Sequence, residues 1–132
     1  MSASLRRLCL AVLAAGLVAG CSATPVTRPN TALPDPLAAG WQGKPVCEKL
    51  HEDARQRVLR CTFPPGVGHE RHYHVAHFGY AVSGGRMQLD DASGRRVVDL
   101  PTGSSFASDG VEWHEVLNVG DTTVIYLIVE PR

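Results

Sequence analysis

An all-β domain is the fold that residues 44–132 predict. Three observations lead there. Apolar residues come in short runs separated by turn residues, the spacing of strands in a small barrel or sandwich. Glycines mark the turns between runs, as at Gly84–Gly85 and Gly94, where a tight reversal asks for backbone freedom. After the first twenty residues no stretch carries the apolar period of a helix.

The elements follow in chain order. Residues 1–20 have the build of a secretory signal peptide: Arg6 and Arg7 precede the apolar run "LCLAVLAAGLVA" (8–19), which is too short to serve as a stable membrane span. The run closes in "LVAGC" (17–21), which resembles the lipobox of bacterial lipoproteins. That resemblance implies lipidation of Cys21, which becomes the mature N-terminus, and Ser22 after it implies sorting to the outer membrane, facing the periplasm. Several acyl chains would hold the protein to the membrane, since one chain alone binds only marginally. Residues 21–43 then read as the lipidated Cys plus a Pro-rich tether, with Pro25, Pro29, Pro34 and Pro36. Such a linker is extended and semi-rigid. Residues 44–132 remain as one small domain, long enough for one core.

The whole chain balances 13 Lys and Arg against 13 Asp and Glu. Loss of residues 1–20 would remove Arg6 and Arg7 and no acid, leaving eleven basic against thirteen acidic side chains. Without a basic patch, nucleic acid is not an expected partner. Neither a CxxC nor a phosphate-binding glycine loop occurs.

Within the domain "KPVCEKL" and "QRVLRCTF" flank the turn "HEDAR". Antiparallel pairing about that turn would set Cys47 close to Cys61, as a disulfide or as two buried thiols. "HFGYAVSG" leads through Gly84–Gly85 into "RMQLDD", "DASG" turns into "RRVVDL", and "EWHEVLNV" meets "TTVIYLIVE" through "NVGD". The last of these strands is nearly all apolar. It is either buried on both faces or turned outward onto another subunit.

The chain carries six histidines, and four of them, His69, His72, His74 and His77, fall within "GHERHYHVAH". Their spacing resembles the first motif of the cupin superfamily, G(X)5HXH(X)3-4E(X)6G. Gly66, His72, His74 and Gly84 fit it. His77 stands where that motif has glutamate, after a gap shortened to two residues. The second motif, G(X)5PXG(X)2H(X)3N, is matched by Pro101, Gly103, His114 and Asn118, with ten residues between Gly103 and His114 and with Gly94 one residue too far from Pro101. The resemblance covers nearly the whole domain. It implies a double-stranded β-helix, a jelly-roll barrel, with a metal inside.

His72 and His74, two apart on a strand, point to one face. By the resemblance His114 comes from a distant strand and faces them. Three imidazoles suit one divalent transition metal: Fe, Mn, Zn, Ni or Cu. His77 is the expected fourth ligand. His69, of opposite parity, is expected at the rim or in solvent. Glu112 shares the parity of His114 and is a candidate general base if chemistry occurs. Asn118 is expected to start the "NVGD" turn rather than to react. Arg86 is either a carboxylate anchor or a solvated edge residue, and Met87, Tyr73, Tyr80 and Trp113 belong to the cavity mouth or to the core.

The family resembled spans isomerases, dioxygenases, decarboxylases, storage proteins and small-molecule sensors, so the fold alone does not select an activity. The reading is a metal-binding cupin of the bacterial envelope with a small-molecule ligand. It would act either as a dioxygenase- or isomerase-like enzyme on an oxygen-rich substrate, or as a non-catalytic module that captures a small ligand or metal. A homodimer through the sheets is the expected assembly.

Overall fold

The structure, a computed structural model, describes residues 33–132. The signal segment, Cys21 and the first part of the Pro-rich tether lie outside the described residues. Eleven strands follow: β1 (Gly40–Trp41), β2 (Lys44–Pro45), β3 (Cys47–Glu52), β4 (Gln56–Phe63), β5 (Gly68–His74), β6 (His77–Ser83), β7 (Gly85–Asp91), β8 (Gly94–Leu100), β9 (Ser105–Ser108), β10 (Val111–Asn118) and β11 (Val124–Pro131). Among the described residues there is no helix.

β1 and β2 form a short hairpin. The other nine strands make two sheets, in the orders β3-β4-β11-β6-β9 and β5-β10-β7-β8. Every pairing is antiparallel, and the two central ones join distant parts of the chain: β11 lies between β4 and β6, and β10 between β5 and β7. Period-two alternation shows why the strands sit as they do. In β6, His77, Gly79 and Ala81 are buried while Phe78, Tyr80 and Val82 face out. The core is built from both sheets, with Cys47, Leu59, Cys61, Phe63, Val124 and Ile128 of the larger one packed with Met87 of the smaller.

The alternation also settles the apolar last strand. Val124, Ile128 and Glu130 point inward and are buried, while Ile125, Leu127 and Val129 point outward, half-buried. Beside them on β6, Phe78, Tyr80 and Val82 are 45%, 40% and 44% exposed, so nothing among the described residues covers this outer face.

Cys47 and Cys61 are register partners across β3 and β4, and a disulfide joins them over a Cα separation of 4.0 Å. Gly103 takes a φ of 83° in the turn before β9, a conformation that glycine reaches without strain. Gly79 is needed for a different reason: a Cβ there would lie 2.3 Å from the Phe106 ring, so its bare backbone lets Phe106 fold across the strand.

The folded region starts earlier than the sequence suggests. Residues 34–43, assigned above to the tether, pack against the domain. The Tyr73 amide donates to the Pro34 carbonyl, and the Gln42 amide donates to Glu70 Oε1 at 2.9 Å. Pro36 is fully buried, and the Trp41 ring covers Gly68 closely enough that a Cβ there would meet it at 2.7 Å. The physical cause is that a proline-bearing stretch can still be anchored by a few apolar contacts and one ion pair, here between Asp35 and Arg57.

Candidate metal centre

Two adjacent strands of the smaller sheet build the site. His72 and His74 alternate along β5 and both turn inward, buried to 0% and 5% exposure. β10 runs antiparallel beside β5 with His114 paired to His72. His114 therefore reaches the pair from the neighbouring strand of the same sheet, not from an opposing wall. One ligand atom from each of His72, His74 and His114 can be chosen so that all lie within 4.8 Å of one another. His72 Nε2 is 3.1 Å from His74 Nε2 and 2.9 Å from His114 Nε2.

The second nitrogen of each β5 histidine is committed elsewhere. His72 Nδ1 donates to the Glu70 carbonyl at 2.6 Å, and His74 Nδ1 donates to Glu130 Oε1 at 3.3 Å. A neutral imidazole has one N–H, so both rings then present bare Nε2 lone pairs to each other. Burial, and after it the neighbouring histidines, hold the His74 pKa far below its ordinary value and that of His114 at about 2; His72 is lowered as well, again mainly by burial. The rings are thus neutral, the state a metal ligand requires.

Two facing lone pairs at 3.1 Å repel unless something positive lies between them. Imidazole nitrogens each about 2.1 Å from one metal ion would sit about 3.0 Å apart at right angles and about 3.4 Å apart in a tetrahedral set. The donor set and both short N···N separations therefore fit a bound transition metal. The histidines set one end of a cavity of about 420 Å³ between the sheets, whose other walls are mainly apolar, including Met87, Leu89, Val98, Phe106 and Tyr126. Desolvation pushes the Tyr126 hydroxyl pKa up to about 12. Arg96 also lines the cavity and is paired with Asp91 at 2.8 Å.

The remaining expected site residues fall as follows. His77, on β6 of the other sheet, is buried, lines the cavity and stacks 4.6 Å from the His74 ring, but it is not in the converging trio; its Nδ1 donates to the Val75 carbonyl at 2.8 Å. His69 is not at the rim. It is 2% exposed, its ring lies 3.8 Å from that of His72, and its Nδ1 is 3.9 Å from Cys47 Sγ. Burial, then His72, lowers its pKa to about 3. The cause of the reversal is a bulge. His114 pairs with His72 and Val116 with His69, so β5 spends three residues where β10 spends two. Glu70 and Arg71 both turn out, and His69 regains the inner face.

A bulge of the opposite sense corrects Glu112. Val111 pairs with His74 and His114 with His72, so β10 has the extra residue here. Val111 and His114 both face the cavity, and Glu112 is exposed and outside it. Arg86 is 60% exposed, near Asp99. Trp113 is stacked by Arg71 at 3.8 Å. Asn118 is buried and structural: its amide nitrogen donates to the carbonyls of Phe63 and Thr122, and its oxygen accepts from Gly120. Glu130 is the site residue that the sequence reading missed. Its signal was available, as the one acid in an apolar strand with the parity of the buried Ile128.

The family model described as "Cupin domain" matches residues 59–130. No curated protein matches the chain. Among solved structures, the chain is similar to a cupin domain from Bordetella pertussis Tohama I at 23% identity and a TM-score of 0.62, over 66% of this chain and 92% of that one. It is similar to an RmlC-like cupin family protein with a double-stranded β-helix fold from Methanocaldococcus jannaschii at 16% identity and a TM-score of 0.53, over 65% of this chain and 78% of that one. It also resembles the polyketide cyclase RemF from Streptomyces resistomycificus at 21% identity and a TM-score of 0.51, over 64% of this chain and 63% of that one. At these identities the likeness is one of fold.

Proposed function

The chain belongs to the cupin domain family, and from that premise we propose that it is a metal-binding cupin acting on or capturing a small oxygen-bearing ligand at the bacterial envelope. The observation that carries the metal is the pair of bare Nε2 atoms of His72 and His74 at 3.1 Å, with both Nδ1 protons directed elsewhere. His72, His74 and His114 would hold one ion of Fe, Mn, Zn, Ni or Cu, which supplies Lewis acidity toward an oxygen donor when bound. The chain's own residues do the rest. The largely apolar cavity strips water from the ligand's body, Phe106 narrows the space beside His77, and the histidines orient the polar end.

One observation favours capture over turnover. Glu112 is outside the cavity, Asp91 is held by Arg96, and Glu130 is held by Arg57. Among the described residues the cavity therefore has no free carboxylate to act as general base, and any chemistry would rest on the metal and on His77.

The test is elemental analysis of residues 22–132, purified without chelator or nickel resin, beside the same protein carrying His72→Ala and His74→Ala. About one metal per chain, lost in the double variant, is expected. No metal even after reconstitution would rule the reading out. The location rests on the lipobox-like "LVAGC": lipidation of Cys21 predicts that full-length protein fractionates with membranes and that Cys21→Ser moves it to the soluble fraction. Equal distribution of both forms would reject the anchor.

A further inference from the structure

We infer that Glu130, tied through Arg57 to Asp35, is a positioning residue for the metal centre, so that the segment leading into the domain belongs to the site. The inference rests on the metal reading above and adds which residues outside the ligand trio set its strength.

Glu130 is 1% exposed and lies on β11, among Val, Ile and Leu. A carboxylate in such a place is costly unless it is paired and hydrogen-bonded. Its two oxygens are divided between two tasks. Oε2 accepts Arg57 Nε at 2.7 Å and lies 2.5 Å from Nη2. Oε1 is left for His74 Nδ1. Arg57, with 8% of its side chain exposed, turns its remaining amine to Asp35 Oδ2 at 2.7 Å. Asp35 in turn is fixed from its own segment, where its Oδ1 accepts the Leu37 and Ala38 amides. The result is an unbroken line from the lead-in segment through β4 and β11 to a ligand on β5.

That line does two things to His74. A carboxylate accepting from Nδ1 fixes which ring nitrogen is bare and makes the imidazole a stronger donor, the arrangement seen around many metal-bound histidines. It also brings charge. The trio consists of neutral imidazoles and cannot itself balance a divalent ion. Two carboxylates and one guanidinium leave one net negative charge in the line, touching His74. His77 stands where the resembled motif has glutamate, so this chain moves its compensating charge from a direct ligand to the partner of a ligand. Stability alone does not explain the arrangement, because a buried ion pair is often no more stable than apolar residues of the same volume.

The experiment uses the full chain and measures Zn(II) affinity by competition with a chromophoric chelator and the visible spectrum with Co(II). The variants are Glu130→Gln, which keeps the shape and loses the charge, and Asp35→Asn, which leaves the Glu130–His74 contact in place. Ile128→Val, on the same strand, is the control for packing. Glu130→Gln is expected to weaken Zn(II) binding roughly 10- to 100-fold and to shift the Co(II) bands. Asp35→Asn should weaken binding less, in the same direction, and Ile128→Val should change neither affinity nor spectrum. Asp35→Asn keeps the question open to a clear answer if Glu130→Gln does not fold. Wild-type affinity and spectrum in both variants, or an equal loss in Ile128→Val, would overturn the inference and leave the metal reading standing. No uptake by the wild type would overturn both.

Discussion

Lowering the pH of the metal-free protein from 7 towards 4 is expected to unfold it. His69, His72 and His74 are buried and His114 is half-buried, and desolvation is the first cause of a lowered pKa in each, to about 3 for His69 and about 2 for His114. In the unfolded chain the same groups titrate near the ordinary value of about 6.5. Between those values the unfolded state binds protons that the native state refuses, so stability falls as the pH falls. Three of these groups, His69, His74 and His114, are held far below the ordinary value, and together they give a slope approaching about 4 kcal/mol per pH unit below pH 6, at about 1.4 kcal/mol per group. A small domain has roughly 5–15 kcal/mol in all. Circular dichroism against pH should therefore show a cooperative transition above pH 4, taking up several protons. Saturating metal should move the midpoint lower, since it binds only the native arrangement. A metal-free protein still folded at pH 3 would show that these histidines are not buried and neutral.

Breaking the Cys47–Cys61 disulfide is the second large effect. The bond closes a loop of sequence separation 14, which corresponds to about 3 kcal/mol of chain entropy in the unfolded state. β3 gives the bond a local role as well. It is an edge strand with Cys47 as its one buried residue, so apolar burial does little to hold it. Cys47→Ser with Cys61→Ser should lower the stability by about 3 kcal/mol. It should also speed amide exchange across β3 more than across β11. Urea unfolding together with hydrogen exchange measures both. Equal stability with uniform protection would mean that β3 is held without the bond.

The strands were legible because their signals are local. "QRVLRCTF" coincides with β4, and "HFGYAVSG" runs one residue past β6, each showing the alternation that the larger sheet imposes. His72 and His74 were legible from their strand parity and His114 from the resemblance to the second cupin motif, and the structure brings these three together. What could not be read locally was pairing. A bulge is a property of two strands, and neither β5 nor β10 alone reveals where the extra residue falls. Parity counted through those bulges put His69 outside and Glu112 inside, the reverse of their positions. Asp35, Arg57 and Glu130 form one network although Arg57 lies 22 residues from Asp35 and 73 from Glu130. Pro34-Asp35-Pro36 reads as linker until Arg57 is placed beside it.

The pairing of β4 with β11 has a consequence in time. The register joins Gln56 to Pro131 and Phe63 to Val124, the beginning of the domain to its end. Contacts this far apart in sequence must wait for a large loop to close, and folds dominated by them take milliseconds to seconds rather than microseconds. A chain emerging from its N-terminus can form the β3–β4 hairpin early, but the larger sheet has no centre until the last strand arrives. Glu130 arrives with it. His72 and His74 are made long before the carboxylate that accepts from one of them, so the candidate metal centre is among the last parts of the described fold to be assembled.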